Sequence, residues 1–326
     1  MLARPSRSAR DAAGAVMSSV FKVELYVTTF CRGGCPFCFG QGDFGSDGEH
    51  VPIERLLHRA EILRAFHREH PLYAVPLLGG EPLTHPDLPI LARRFGPRLP
   101  FALVSAGLPD EGADLDALIP YIRMWGATYN PHLLDRFVAL VERLLAAGVR
   151  VDTTLHFRDF SSFRDVNLDF VEYALPRLSL PASWRRAFHH YLEIWTPRTY
   201  YQASFMPFQP AERPGMTVHY SIIDDRFTRS TDKVFSPPLR PAQRSYRCHL
   251  FSGNKTLAIT EEGCLLPCTS NAQRHAAPVI LDLDHFGRLP DDLPTHLDRL
   301  AERLYEITQD RSCVVACKDQ QWHLDR

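Results

Sequence analysis

The stretch Lys22-Val23-Glu24-Leu25-Tyr26-Val27-Thr28-Thr29-Phe30-Cys31-Arg32-Gly33-Gly34-Cys35-Pro36-Phe37-Cys38 decides how this chain is read. Val23, Leu25 and Val27 alternate with Lys22, Glu24 and Tyr26, the period-two pattern of a half-buried strand, and the alternation ends at Thr28 and Thr29. Cys31, Cys35 and Cys38 therefore occupy a loop that opens just beyond a strand end. Gly33 and Gly34 allow the tight turns that aim three thiols at one centre. In a reducing cytosol such a group points to metal rather than to disulfides.

Outward from this loop, a glycine-rich stretch from Gly40 to Gly48 leads to Pro52, and Ile53, Leu56, Leu57, Ala60, Leu63 and Phe66 recur at helical spacing. An apolar run at Ala74 to Leu78 follows, then a helical pattern from Pro86 to Arg94 and a second apolar run at Phe101 to Val104. Leu133, Leu134, Phe137, Val138, Val141, Leu144 and Leu145 mark a helix stopped by Gly148, and Val149 to Phe157 reads as a strand. Strands alternating with helices imply an α/β fold with a parallel sheet. Functional residues in such sheets gather at the carboxyl ends of the strands, where both the cysteine loop and Gly79-Gly80-Glu81-Pro82 stand.

From Leu178 to Arg247 prolines and aromatics obscure the periodicity. After Cys248, Thr256 to Thr260, Glu261-Glu262-Gly263 and Cys264 to Pro267 read as a β-hairpin turned at a glycine. Leu297, Leu300, Leu304 and Ile307 mark a closing helix that delivers Cys313 and Cys317. The cysteines thus fall into a first set of Cys31, Cys35 and Cys38 and a second of Cys248, Cys264, Cys268, Cys313 and Cys317.

The chain has 326 residues, 45% hydrophobic and 23% charged, with a formal net charge of −1. This balance asks for neither nucleic acid nor an anionic membrane, and it leaves a small molecule or a peptide as the partner. No apolar stretch approaches the about 20 residues that span a bilayer, and the arginine-bearing first residues lack a secretory signal's apolar run. The expectation is a cytoplasmic protein whose residues 1–19 form a disordered tail.

A [4Fe–4S] cube takes four thiolates, one per iron, so a loop offering three leaves one iron open to another ligand. Zinc is the competing reading and needs a fourth ligand, such as His50 or a C-terminal cysteine. The spacing of Cys31, Cys35 and Cys38, with Phe37 before the last thiol, resembles the CxxxCxxC signature of the radical S-adenosylmethionine (radical SAM) superfamily. Gly79-Gly80-Glu81-Pro82 is similar to the GGEP element of that superfamily. The resemblance implies a partial (β/α)6 TIM-type barrel over residues 20–235. It also implies a small cluster-binding extension over residues 236–326, containing a β-hairpin and a helix.

It implies further that S-adenosylmethionine (AdoMet) fills the open iron position and contacts Phe37, Gly79, Gly80, Glu81 and Pro82. Ser105, Thr128 and Asn130 stand where relatives touch the ribose and carboxylate. Ala106 departs from the family's Thr-Asn-Gly turn and has no amide side chain. The three polar residues fit equally well as caps of ordinary strand ends. The implied chemistry is reductive cleavage of AdoMet to a 5′-deoxyadenosyl radical that takes a hydrogen from substrate, fed by a flavodoxin- or ferredoxin-type electron donor.

The second cysteine set resembles the SPASM extension or its shorter relative, twitch, which implies one auxiliary [4Fe–4S] cluster on Cys248, Cys268, Cys313 and Cys317, with zinc as the alternative. In a regular strand Cys264 lies about 13 Å from Cys268, so it is a spare thiol, a core residue or a functional donor. His156, with Arg158 and Asp159, follows the fifth strand and suits proton transfer, or equally a solvated surface loop. Glu81, His156 and Cys264 are the candidate catalytic residues. Only a short tail precedes the first strand, which favours a small biosynthetic intermediate as substrate over a leader-bearing peptide. A peptide-maturing enzyme is the second reading and a non-catalytic iron–sulfur or zinc protein the third.

Overall fold

The computed structural model describes residues 20–33, 43–107, 114–157, 165–166, 168–180, 216–222, 254–267 and 279–299. The alternation around Val23 becomes β1 (Val20–Thr28). Pro52, which cannot continue a preceding helix but suits the start of one, leads into α1 (Ile53–Glu69), whose buried face carries Leu56, Ala60, Leu63 and Phe66. Next come β2 (Leu72–Gly79), α2 (Leu88–Phe95), β3 (Phe101–Ser105) and a short α3 (Leu115–Leu118). They are followed by β4 (Met124–Tyr129), α4 (Leu134–Ala146) and β5 (Arg150–Phe157). After a π-helical turn at Phe170–Ala174 come β6 (Met216–Ile222), β7 (Asn254–Ile259), β8 (Cys264–Leu266), β9 (Leu281–Asp282) and α5 (Leu283–Phe286).

The strands form one sheet in the order β6-β5-β4-β3-β2-β1-β7-β8-β9. Each neighbouring pair from β6 to β7 is parallel, whereas β7, β8 and β9 run antiparallel. Six parallel strands in consecutive order, with β6 at an edge and not returned to β1, make an α/β sheet open in the manner of an incomplete barrel. Strand alternation decides which residues meet the helices: Val23, Leu25, Leu77, Leu103, Trp125 and Val151 share one core with Leu63 of α1, Leu91 of α2 and Val141 of α4. On the opposite face Tyr26, Ala258 and Leu266 form a second cluster, against which Phe44, Leu78 and Cys264 pack.

The predicted hairpin is present as β7 and β8, turned at Gly263 with φ +101°. It does not stand apart, because β7 pairs with β1 along Val20↔Asn254 to Leu25↔Ile259. Three strands escaped the sequence pattern, the two-residue β9 among them. Met124-Trp125-Gly126-Ala127-Thr128-Tyr129 alternates half-buried and buried positions, but Gly126 and Ala127 are too small to register as an apolar run. The strand β6 lies inside the proline- and aromatic-rich stretch. Residues 1–19 lie outside the described residues, as does most of the predicted closing helix, of which 293–299 are helical. Among the described residues no helix is long and apolar enough to cross a membrane.

One side chain ties the hairpin to the helices. Arg59 of α1 is 0% exposed. Its Nε and Nη2 donate to the two carboxylate oxygens of Asp284 at 2.9 and 2.7 Å. Nη1 and Nη2 also donate to the carbonyls of Thr260 and Glu261 at 3.1 and 3.0 Å. A β-carbon on Gly263 would lie 2.9 Å from Arg59 Nη2 and from Asp284, so the turn needs glycine both for its backbone angle and for this space. Hydrogen bonds from Arg59 hold the Asp284 carboxyl below the usual carboxylate range. Arg59→Met keeps the volume but strands Asp284 and two carbonyls. We expect it to lower unfolding free energy in urea by about 3 kcal/mol, and a loss under about 1 kcal/mol would show that the lock is dispensable.

Candidate active site

The β1 strand stops because its last residue turns its side chain to local use. Thr28, 0% exposed, places its hydroxyl 2.9 Å from the Phe30 N–H, 3.0 Å from the Glu49 carbonyl and 2.8 Å from His50 Nδ1. Residues 45–51 return alongside and clasp the start of the cysteine loop. The Cys31 N–H donates to Gly45 O at 2.8 Å, Thr29 N–H to Glu49 O at 2.9 Å and Val51 N–H to Val27 O at 3.0 Å. Cys31 is half-buried, and its Sγ accepts the Gly33 N–H at 3.3 Å. Cys35, Phe37 and Cys38 lie outside the described residues.

The predicted glycine pair stands directly against this clasp. Gly80 N–H donates to Thr28 O at 2.9 Å and Glu81 N–H to Phe30 O at 2.8 Å. A β-carbon on Gly79, whose φ is +137°, would sit 2.0 Å from Thr28 O, and one on Gly80 would sit 2.2 Å from Phe30 O. Glycines are therefore required here by the approach of two strand-end backbones. Pro82 is buried and begins a short 3-10 turn, Pro82–Thr84.

Glu81, 2% exposed, accepts the Leu83 N–H on Oε1 and the Ala106 N–H on Oε2, each at 3.1 Å. Its carboxylate thus bridges the carboxyl ends of β2 and β3, a link that the sequence reading did not contain. Ser105 Oγ accepts the Gly107 N–H at 2.9 Å, and Asn130 Oδ1 accepts the His132 N–H at 3.1 Å. Both cap their strand ends. Thr128, half-buried on β4, pairs in register with Thr154 on β5. Gly79, Gly80, Glu81, Ser105, Thr128 and Asn130 therefore share the carboxyl rim with Cys31. His156 falls at the same rim, in register with Ser221 of β6.

Cys264 is half-buried on the face opposite the helices, packed against the cluster that contains Tyr26 and Leu266. Burial pushes its thiol up, so it is protonated at neutral pH. Cys248, Cys268, Cys313 and Cys317 lie outside the described residues, and so do Arg158 and Asp159.

His50, named from the sequence only as a possible zinc ligand, pairs under the clasp with His85, a partner not legible from spacing because 35 positions separate the two. His85, 3% exposed, accepts the Asp87 N–H on Nδ1 at 3.1 Å and donates from Nε2 to Val51 O at 2.9 Å, which fixes it as the neutral Nε2–H tautomer. The His50 ring centroid lies 5.0 Å away. Burial lowers both imidazoles below their ordinary 6.5, and for His50 the neighbouring His85 adds to the effect. Below pH 6.5 the unfolded chain therefore takes up protons that the folded chain refuses, so stability present above that value is lost as pH falls through the lowered folded values. Urea midpoints should drop between about pH 7 and pH 5.5, and His85→Gln should flatten part of that slope. A wild-type midpoint that stays level over this interval would contradict the buried neutral pair.

The sequence profile described as the radical SAM superfamily matches residues 25–159. No curated protein matches the chain in sequence. Among solved structures, Streptococcus suis SuiB bound to S-adenosylmethionine is similar at 12% identity and a TM-score of 0.47, covering 92% of this chain and 70% of that one. BtrN in complex with AdoMet and 2-DOIA is similar at 12% identity and a TM-score of 0.44, covering 91% of each chain. HydG, a maturase of the [FeFe]-hydrogenase, follows at 12% identity and a TM-score of 0.38, covering 89% of this chain and 79% of that one. The matched segment runs from within β1 to just past β5 and contains the clasped cysteine loop and the glycine pair, so the likeness to the radical SAM superfamily extends over residues 25–159.

Proposed function

We propose that this chain is a radical SAM enzyme that holds a [4Fe–4S] cluster on Cys31, Cys35 and Cys38 and AdoMet beside it at Gly79-Gly80-Glu81-Pro82. The observation that supports the reading is the pair of backbone hydrogen bonds from Gly80 and Glu81 to Thr28 and Phe30, which join the Gly79-Gly80-Glu81-Pro82 turn to the residue before Cys31. The Cys31 sulfur already accepts a backbone N–H, as a thiolate ligand does, and the glycine pair leaves backbone rather than side chain facing the rim. These features fit both groups. When bound, they supply a one-electron cleavage of AdoMet and a radical able to take a hydrogen atom.

The chain's own residues position and enclose. Glu81 spans the ends of β2 and β3 and stiffens the rim, while Ser105 and Asn130 hold adjoining turns. The face of β4 and β5 away from the helices carries Thr128 and Thr154, both half-buried, which favours a small polar biosynthetic intermediate as substrate. A flavodoxin- or ferredoxin-type protein supplies the electron. One auxiliary [4Fe–4S] cluster on Cys248, Cys268, Cys313 and Cys317 assists oxidation, substrate binding or sulfur transfer, and His156 and Cys264 are the further candidates for handling protons or hydrogen atoms.

Replacing Cys31, Cys35 and Cys38 together by Ala should abolish 5′-deoxyadenosine formation under anaerobic reducing conditions and leave the C-terminal iron in place. Undiminished 5′-deoxyadenosine would sink the assignment. Glu81→Gln should weaken AdoMet binding in calorimetry without lowering iron content, because one carboxylate oxygen that accepts a backbone N–H is replaced by a donor. Unchanged affinity removes Glu81 from the site. After reconstitution Cys264→Ala should keep roughly eight irons per chain and Cys268→Ala should fall toward roughly four. The reverse pattern would mean that Cys264 is the ligand.

A further inference from the structure

We infer that His50 is a positioning residue that fixes the entry to the cysteine loop by donating a hydrogen bond to the buried Thr28 hydroxyl. The inference rests on the reading of Cys31 as a cluster ligand, but its geometry belongs to the protein alone. The Thr28 hydroxyl has one proton and three polar neighbours. The Phe30 N–H is a donor and uses one lone pair of the oxygen at 2.9 Å. The Glu49 carbonyl, 3.0 Å away, can only accept.

If the hydroxyl proton went to His50, the oxygen of the fully buried Thr28 would face the Glu49 carbonyl oxygen at 3.0 Å with no hydrogen between them. The arrangement that satisfies every atom sends the Thr28 proton to Glu49 O and takes a proton from His50 Nδ1 at 2.8 Å. Two donors then point in and one points out.

The ring that provides this donor is itself held. Phe30 lies against it at a centroid distance of 5.5 Å and His85 at 5.0 Å. His85 is immobilised by the Asp87 N–H and the Val51 carbonyl, and it follows the Gly79-Gly80-Glu81-Pro82 turn by three residues. The two histidines thus form a strut between that turn and the residue two positions before Phe30. Phe30 is gripped from both sides, its N–H by Thr28 Oγ1 and its carbonyl by the Glu81 N–H, and Cys31 comes next. Replacing the His50 ring by an apolar side chain of similar bulk leaves the buried Thr28 hydroxyl one donor short and releases one side of the grip.

The test compares His50→Leu, which keeps bulk but has no donor, with His50→Asn, whose amide offers an N–H near the position of Nδ1. The first readout is amide hydrogen exchange of residues 28–33 in the metal-free full-length chain. The second is iron retention and the electron paramagnetic resonance spectrum of the reduced, reconstituted protein. His50→Leu should speed exchange at Phe30 and Cys31 by about tenfold, the equivalent of roughly one hydrogen bond, and should alter the spectrum, and His50→Asn should restore both. Should His50→Leu fold poorly, Thr28→Ser against Thr28→Val reads the same contact, Ser behaving as wild type and Val as His50→Leu. Wild-type exchange in His50→Leu overturns the inference, as does a His50→Asn protein no better than His50→Leu, since ring packing alone would then explain the residue. A wild-type protein that assembles no cluster on Cys31 overturns the proposed function instead, while the metal-free exchange data still decide the role of His50.

Discussion

Two backbone segments touch where β1 and β2 end, and the architecture of the rim depends on that contact. Gly80 and Glu81 donate to the carbonyls of Thr28 and Phe30. A β-carbon at either glycine would lie about as close to a carbonyl oxygen as a hydrogen does in a hydrogen bond, at 2.0 and 2.2 Å. No side chain survives at such separations, so glycine is imposed by sterics before any ligand is considered. The same contact brings the first cysteine of the loop beside the turn that would face AdoMet. Glu81 then extends the constraint to β3 by taking the Ala106 N–H. Sheet geometry and site geometry are one problem here.

A second constraint operates at the other side of β1. The hairpin of β7 and β8 belongs to the region expected to bind an auxiliary cluster, yet it continues the domain's sheet and is locked to α1 through Arg59. Four hydrogen bonds on a guanidinium that water does not reach leave little freedom for the turn at Gly263. The described end of β8 is thereby tied to α1. The cluster of Tyr26, Phe44, Leu78, Leu266 and Cys264 closes the same seam with apolar contacts on the opposite face of the sheet.

The histidine pair beneath the clasp shows how proton positions can be deduced from counting donors and acceptors. His85 has one ring nitrogen facing an N–H and the other facing a carbonyl, so its tautomer follows without reference to pH. That neutral ring is a suitable neighbour for His50 at 5.0 Å, where two cations would repel. A polar core of this kind favours one arrangement because each alternative leaves a buried atom unsatisfied.

By itself the sequence determined what local periodicity and local chemistry can encode. Alternation around Val23 specified β1, helical spacing from Ile53 to Phe66 specified α1, and a glycine between two alternating runs specified the hairpin. The spacing of Cys31, Cys35 and Cys38 and the glycine pair named the superfamily whose profile matches residues 25–159. Tertiary structure alone decided the rest. The strand β4 was hidden because Gly126 and Ala127 carry too little apolar surface, and its strand character comes from pairing with β3 and β5 on either side. The bonds between Arg59 and Asp284, Glu81 and Ala106, and His50 and Thr28 join residues 225, 25 and 22 positions apart. A periodic pattern reports which face a residue turns to the core, but a hydrogen bond needs a partner at a specified distance and angle, and only the folded chain brings those partners together.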